Sequence, residues 1–211
     1  MEEIFDICDE AGAPTGATVS RTLAHRDGIL HRTAHIWVLR EKAGKKQVLL
    51  QKRSKNKDSF PSCLDTSSAG HIQAGDEPLC SAIRELREEL GIAALPSDLK
   101  PIGTFRISYQ KEFHGALFRD EEVAFVYVYE KPVDTEALKL QPEELESVLW
   151  QDYEEVVEAV GQRNPAYCVP RGGLLLVGKY LGFSARLQDQ VGQSEIIPSA
   201  NCNERIFEGV D

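Results

Sequence analysis

Residues Gly70 to Ile92 read GHIQAGDEPLCSAIRELREELGI, a glycine turn followed by a segment that carries Arg84 and three glutamates. At roughly 100° per residue, Leu79, Ile83, Leu86 and Leu90 fall into one apolar stripe, while Glu85, Glu88 and Glu89 gather on the opposite side. The spacing predicts a helix with one face packed and the other acidic. Like charges three and four apart on a helix repel by a few tenths of a kcal/mol per pair. Arg84, four residues before Glu88, can pair with it, but one guanidinium cannot balance three carboxylates. A hard divalent cation with oxygen ligands, Mg²⁺ or Mn²⁺, suits the remainder. The plain alternative is a solvated acidic face laced by ion pairs four residues apart.

The surrounding residues decide between the two. They follow the pattern Gly, five residues, an acid, seven residues, Arg-Glu-Leu, any residue, Glu-Glu, any residue, Gly, aliphatic. This resembles the signature of the Nudix hydrolase family. Gly70, Arg84, Glu85, Leu86, Glu88, Glu89, Gly91 and Ile92 match it, and Asp76 stands where that family usually has Glu. The resemblance implies an α/β fold, the Nudix α/β/α sandwich with a mixed β-sheet, and Mg²⁺-dependent cleavage of a diphosphate linked to another group X. It further implies that Glu85, Glu88 and Glu89 hold metal, that Arg84 orients a glutamate, and that Gly70 permits a tight loop with its carbonyl near the metal. Asp76, a methylene shorter, serves equally well as a helix N-cap beside Pro78.

A chain of 211 residues suits one domain with extensions. Hydrophobic content of 42% and charged content of 27% are those of a globular protein. The formal net charge of -10 argues against a nonspecific binder of nucleic-acid duplexes or anionic membranes. Phosphate must therefore be met locally, by metal and a few Lys or Arg. The opening MEEIFDICDE is acidic where a secretory signal is basic and then apolar, and the longest strongly apolar run, Leu174 to Val177, is too short for a bilayer. Cytoplasm is the expected location. The five cysteines are odd in number, widely spaced and without Cys-x-x-Cys, so reduced thiols are expected.

Along the chain, residues 3 to 9 read as a strand closed by the turn-rich GAPTG, and Thr33–Arg40 with Gln47–Arg53 as a hairpin across EKAGKK. Phe105–Tyr109 and Glu122–Glu130 read as further strands, SVLWQ as a last strand and DYEEVVEAVG as a helix. LLLVGKYL is a second helix or a buried strand. The expected division is a single domain over 1–186 and a polar tail over 187–211. A homodimer is compatible with such a fold, although no residue names the interface.

Outside the acidic helix, His25, His31, His71, Asp120 and Glu122 are potential ligands. Asp120 and Glu122 are two apart at the start of a strand, so both side chains leave by the same face. TLAHRDGILHRTAHIWVL, QKRSKNKDSFPS, SAGHI and DEEVAFVYV resemble successive segments of the isopentenyl diphosphate isomerase branch of the same superfamily, over roughly residues 1 to 170. That resemblance implies a second divalent-metal site on these five residues. The His25–His31 spacing is one residue shorter than the isomerase pattern, and Asp replaces Glu at 120. It also implies that Arg53 and Lys57 contact the diphosphate, for which a guanidinium and an ammonium are well suited.

Three departures argue against isomerisation. The isomerase needs a thiol next to the Gly-His pair, and Ala69 stands there; a methyl group moves no protons. The late Trp of the isomerases has no counterpart near RNPAYCVP. Those enzymes often carry a basic residue at the position of Glu85, whereas here all three glutamates are present. The favoured function is a pyrophosphohydrolase acting on a small-molecule diphosphate. The alternatives are the isomerase and, from a different class, a non-catalytic sensor of nucleotides or prenyl diphosphates.

Overall fold

The computed structural model describes residues 2–183. The tail expected over 187–211, and the last positions of the 1–186 domain, lie outside the described residues.

The chain begins with a hairpin of β1 (Ile4–Cys8) and β2 (Pro14–Ser20), then turns through the short helix α1 (Arg21–Asp27) into β3 (His31–Lys42). Residues 31 to 39 of β3 are all buried, as a strand covered on both faces must be. Its side chains alternate between two layers: Trp37 and Leu39 enter one core, Ala34, Ile36 and Val38 the other. β4 (Lys45–Arg53) returns antiparallel to it, and the short strands β5 (Leu64–Asp65) and β6 (Ser68–His71) attach to β4 and β3 respectively. Helix α2 (Pro78–Leu90) follows, then β7 (Leu99–Phe113), β8 (Ala116–Tyr129) and β9 (Leu145–Asp152). β8 runs parallel to β3 and antiparallel to β7, while β9 pairs antiparallel with β4, so the sheet is mixed.

α2 covers one face of the sheet; α3 (Tyr153–Gly161) and α4 (Arg171–Leu181) contribute to the apolar layer on the other. This is the α/β/α sandwich expected from the sequence. LLLVGKYL is resolved as helix. Pro78 starts α2, and Gly91, in the left-handed region with φ 71°, ends it by donating to the carbonyls of Arg87 and Leu86.

Four local readings change. GAPTG is not simply a turn, because its later residues enter β2 and pair back onto β1. Helix α1 was not anticipated, although Ser20 caps its N-terminus and Gly28, at φ 67°, ends it. Most important, the plain alternative of a solvated acidic face is excluded, because the acidic side of α2 packs as well. Its buried residues are Ser81, Ala82, Glu85, Leu86, Glu89 and Leu90, whereas Leu79 and Ile83 pack only at the margin of the core. The inward arc is turned toward the glutamates because β6 and the turn at Gly70 approach that side. Asp76 is not the N-cap either: Glu77 occupies that position without a side-chain cap, and the Asp76 carbonyl accepts a hydrogen bond from Arg32.

Leu86 is wholly buried and Leu149 is 37% exposed. Leu86→Ala is expected to cost about 2–5 kcal/mol in urea denaturation, and Leu149→Ala no more than about 0.5 kcal/mol.

Candidate functional site

One cavity of about 530 Å³ collects nearly every residue singled out in the sequence. Arg53, Lys57, Gly70, His71, Arg84, Glu85, Glu88, Glu89, His25, Asp120 and Glu122 all line it. His31 is fully buried and is not part of that lining.

The α2 side of the cavity rests on a glycine. A Cβ at Gly70 would stand 2.2 Å from Cδ of Glu85, so only a bare backbone allows the carboxylate its place. Arg84 holds the arrangement from the other end. Its guanidinium pairs with Glu85 at 2.8 Å and Glu88 at 3.2 Å, and donates to the His71 carbonyl at 3.0 Å, tying helix to turn. Glu89 accepts from the Ala69 N–H at 3.3 Å. Burial raises the Glu85 pKa to about 7 despite Arg84, and that of Glu89 to about 8. Two desolvated carboxylates beside a half-exposed Glu88 form an oxygen donor set that fits Mg²⁺ or Mn²⁺.

A second cluster is built by strand pairing. The parallel register of β3 and β8 sets His31 opposite Glu122, α1 brings in His25, and β6 brings in His71. Donor atoms of His25, His31 and His71, and of His31, Asp120 and Glu122, form two overlapping groups, each within 4.8 Å. The His31 Nδ1–H donates to the Ile29 carbonyl at 2.8 Å, a tautomer that leaves Nε2 as a lone pair facing Glu122 at 3.9 Å. Nε2 of His31, Nδ1 of His25 and Oδ1 of Asp120 are buried without hydrogen-bond partners. Phe5 stacks on His31 and His71, and Phe118 on His25. Burial lowers the His25 pKa to about 3 and that of His31 to about 4, while it raises both Asp120 and Glu122. Buried nitrogen and oxygen lone pairs without hydrogen-bond partners fit a divalent cation with mixed donors.

The cationic wall is already engaged. Arg53 reaches Asp65 at 3.1 Å and the Ser59 carbonyl at 3.0 Å, and Lys57 pairs with Glu144. Sequence reasoning missed Glu144, His35, Asp65, Tyr109 and Cys168, all of which line the cavity. Thr33 and His35 could have been found from the period of two that runs from His31 along β3. The others come from distant loops and strands, and no spacing joins them.

A NUDIX domain model matches residues 29–171. The chain belongs to the Nudix family. It is 41% identical over 170 residues to Nudix hydrolase 3 of Arabidopsis thaliana, covering 79% of this chain but only 21% of that protein. An uncharacterised Nudix hydrolase of Clostridium acetobutylicum is 39% identical over 144 residues, 68% of this chain and 67% of the relative. An isopentenyl-diphosphate delta-isomerase of Serratia proteamaculans is 29% identical over 165 residues, 78% of this chain and 84% of the relative. The crystal structure of DR0079 from Deinococcus radiodurans shares the fold, with a TM-score of 0.59, 20% identity and coverage of 76% and 90% of the two chains. No helix among the described residues is long and apolar enough to cross a membrane.

The shifted acids and histidines affect stability with opposite signs. For Glu85 and Glu89 the folded pKa exceeds the ordinary value of 4.5, so the folded state binds more protons and loses stability as pH rises toward 7 and 8. For His25 and His31 the folded pKa lies below 6.5, so their contribution grows with pH and is complete above that value. Between about pH 6.5 and 8 only the acid term remains. In the presence of a chelator the melting temperature is expected to fall across that window, and millimolar Mg²⁺ to reverse the fall. Thermal melts with and without EDTA check this.

Proposed function

We propose that this protein is a divalent-cation-dependent pyrophosphohydrolase that cleaves the phosphoanhydride of a small-molecule diphosphate linked to a group X. The observation that carries the reading is the shared cavity: Glu85, Glu88 and Glu89 line it together with Arg53 and Lys57. That arrangement suits a diphosphate held between metal and cations.

Glu85, Glu88 and Glu89 would hold Mg²⁺ or Mn²⁺, and the turn at Gly70 would supply the close backbone. When bound, such an ion neutralises charge on the diphosphate and lowers the pKa of water. Arg53 and Lys57 bind the distal phosphate and stabilise the leaving group, Lys57 exchanging its Glu144 partner for a phosphate oxygen. Arg84 fixes the orientation of Glu85 and Glu88. Glu88 or Glu89 takes the proton from the attacking water. His25, His31, His71, Asp120 and Glu122 would hold a second divalent cation, their imidazoles favouring a transition metal such as Mn²⁺ over Mg²⁺. Neither strongly acidic surface charge nor cavity shape calls for a nucleic-acid duplex or a membrane as partner, and the cytoplasm suits such a substrate.

The isomerase reading draws on the isomerases among the relatives and on the His/acid cluster, but Ala69 offers no thiol beside His71. Glu88→Gln and Glu89→Gln are each expected to lower Mg²⁺-dependent release of phosphate or monophosphate by about 10²-fold or more. A screen of nucleotide, sugar-nucleotide and prenyl diphosphates reads this out. Appearance of dimethylallyl diphosphate from isopentenyl diphosphate would transfer the assignment to the isomerase, and absence of any turnover would leave the sensor.

A further inference from the structure

Among the side chains of β3 that face away from α2 are those of His31, Thr33, His35 and Trp37. Three are committed. His31 belongs to the second cluster, the Thr33 hydroxyl donates to Glu122 at 3.0 Å, and Trp37 is core. His35 has no such employment. It is 6% exposed, forms part of the cavity wall, and its Nδ1 is buried without a hydrogen-bond partner. The ring stands edge-on to Phe105 at 5.6 Å and 83°, which fixes its plane. Its cross-strand neighbour on β6 is Ala69, whose small side chain lines the cavity beside it. Nearby, Asp65 is satisfied by Arg53 and by the Thr66 N–H. Phe60, Tyr109 and Phe118 supply flat apolar surface in the same cavity.

We infer that His35 is a specificity-determining residue: its imidazole hydrogen-bonds the group X, so X carries a hydroxyl or N–H there, as a nucleoside or sugar does and a hydrocarbon chain does not. This rests on reading the cavity as a diphosphate site. A hydrocarbon X would seal the imidazole from water and leave it unpaired, whereas a hydroxyl or N–H completes it. Sites built around such a bond reject analogues that lack the group far more strongly than apolar pockets reject an added methylene. The aromatic rings are compatible with a flat heterocycle stacked beside the polar contact.

The test uses full-length protein with Mn²⁺ and two probes that cannot be hydrolysed, adenosine 5′-(α,β-methylene)diphosphate and geranyl methylenediphosphonate, with binding measured by calorimetry. The adenosine probe is expected to bind at least about 10-fold more tightly, His35→Leu to bring the ratio to within about 2-fold, and His35→Asn, which keeps a polar nitrogen, to retain the preference. Equal or tighter binding of the geranyl probe by the wild-type protein overturns the inference, whatever the variants do. So does a preference unchanged in His35→Leu, or no binding of either probe. A nucleoside preference dependent on His35, in a protein that hydrolyses none of the screened diphosphates, upholds the inference and removes the hydrolase reading instead.

Discussion

The approach of the Glu85 carboxylate to the bare backbone of Gly70 is the constraint around which the cavity is organised. No side chain fits between them, because even a methyl would lie 2.2 Å from the carboxyl carbon. The contact fixes how α2 is rolled against β6. Once that roll is set, Glu89 falls onto the Ala69 N–H and Arg84 onto the His71 carbonyl. The helix then presents acid to the interior where amphipathic patterning alone would present it to water. A sandwich stabilised only by its apolar layers would have no reason to adopt that orientation.

Burying so many ionisable groups is expensive, and the chain meets the cost in two different ways. On the α2 side, Arg84 offsets part of the charge, and the remaining carboxylates are pushed toward their protonated forms. On the β3 side burial keeps the histidine rings neutral, in an aromatic enclosure of Phe5 and Phe118. Both solutions leave lone pairs poorly solvated. The acids retain hard oxygen donors and the other cluster retains mixed nitrogen and oxygen donors, so the two clusters would suit different cations.

Much of this was legible in the amino-acid order. The glycine turn, the Arg-Glu-Leu run and Gly91 are local features, read within one turn and one helix, and they form where the spacing placed them. The alternation in HIWVL and in EVAFVYVY likewise gave the central strands. What escaped was long-range. The roll of α2 depends on which residue β6 brings alongside it, so a helical wheel sets Glu85 and Glu89 opposite the apolar stripe without showing that they are buried. His35 looked like one more strand residue until the cavity behind Ala69 was in place. Glu144 and Asp65 enter from separate segments, and no periodicity links either to Lys57 or Arg53.

The parallel pairing of β3 with β8 has a consequence for how this molecule comes into being. His31 and Glu122 are ninety-odd positions apart along the chain and meet only because the two strands align at one level. A slip of a single residue would turn every side chain of one strand to the opposite face. The His/acid cluster therefore stays incomplete on any fragment that lacks β8, which carries Asp120 and Glu122. It closes only when this parallel pairing, a slow kind of strand association, has found its one correct alignment, and a divalent cation bound there would hold that topology in place.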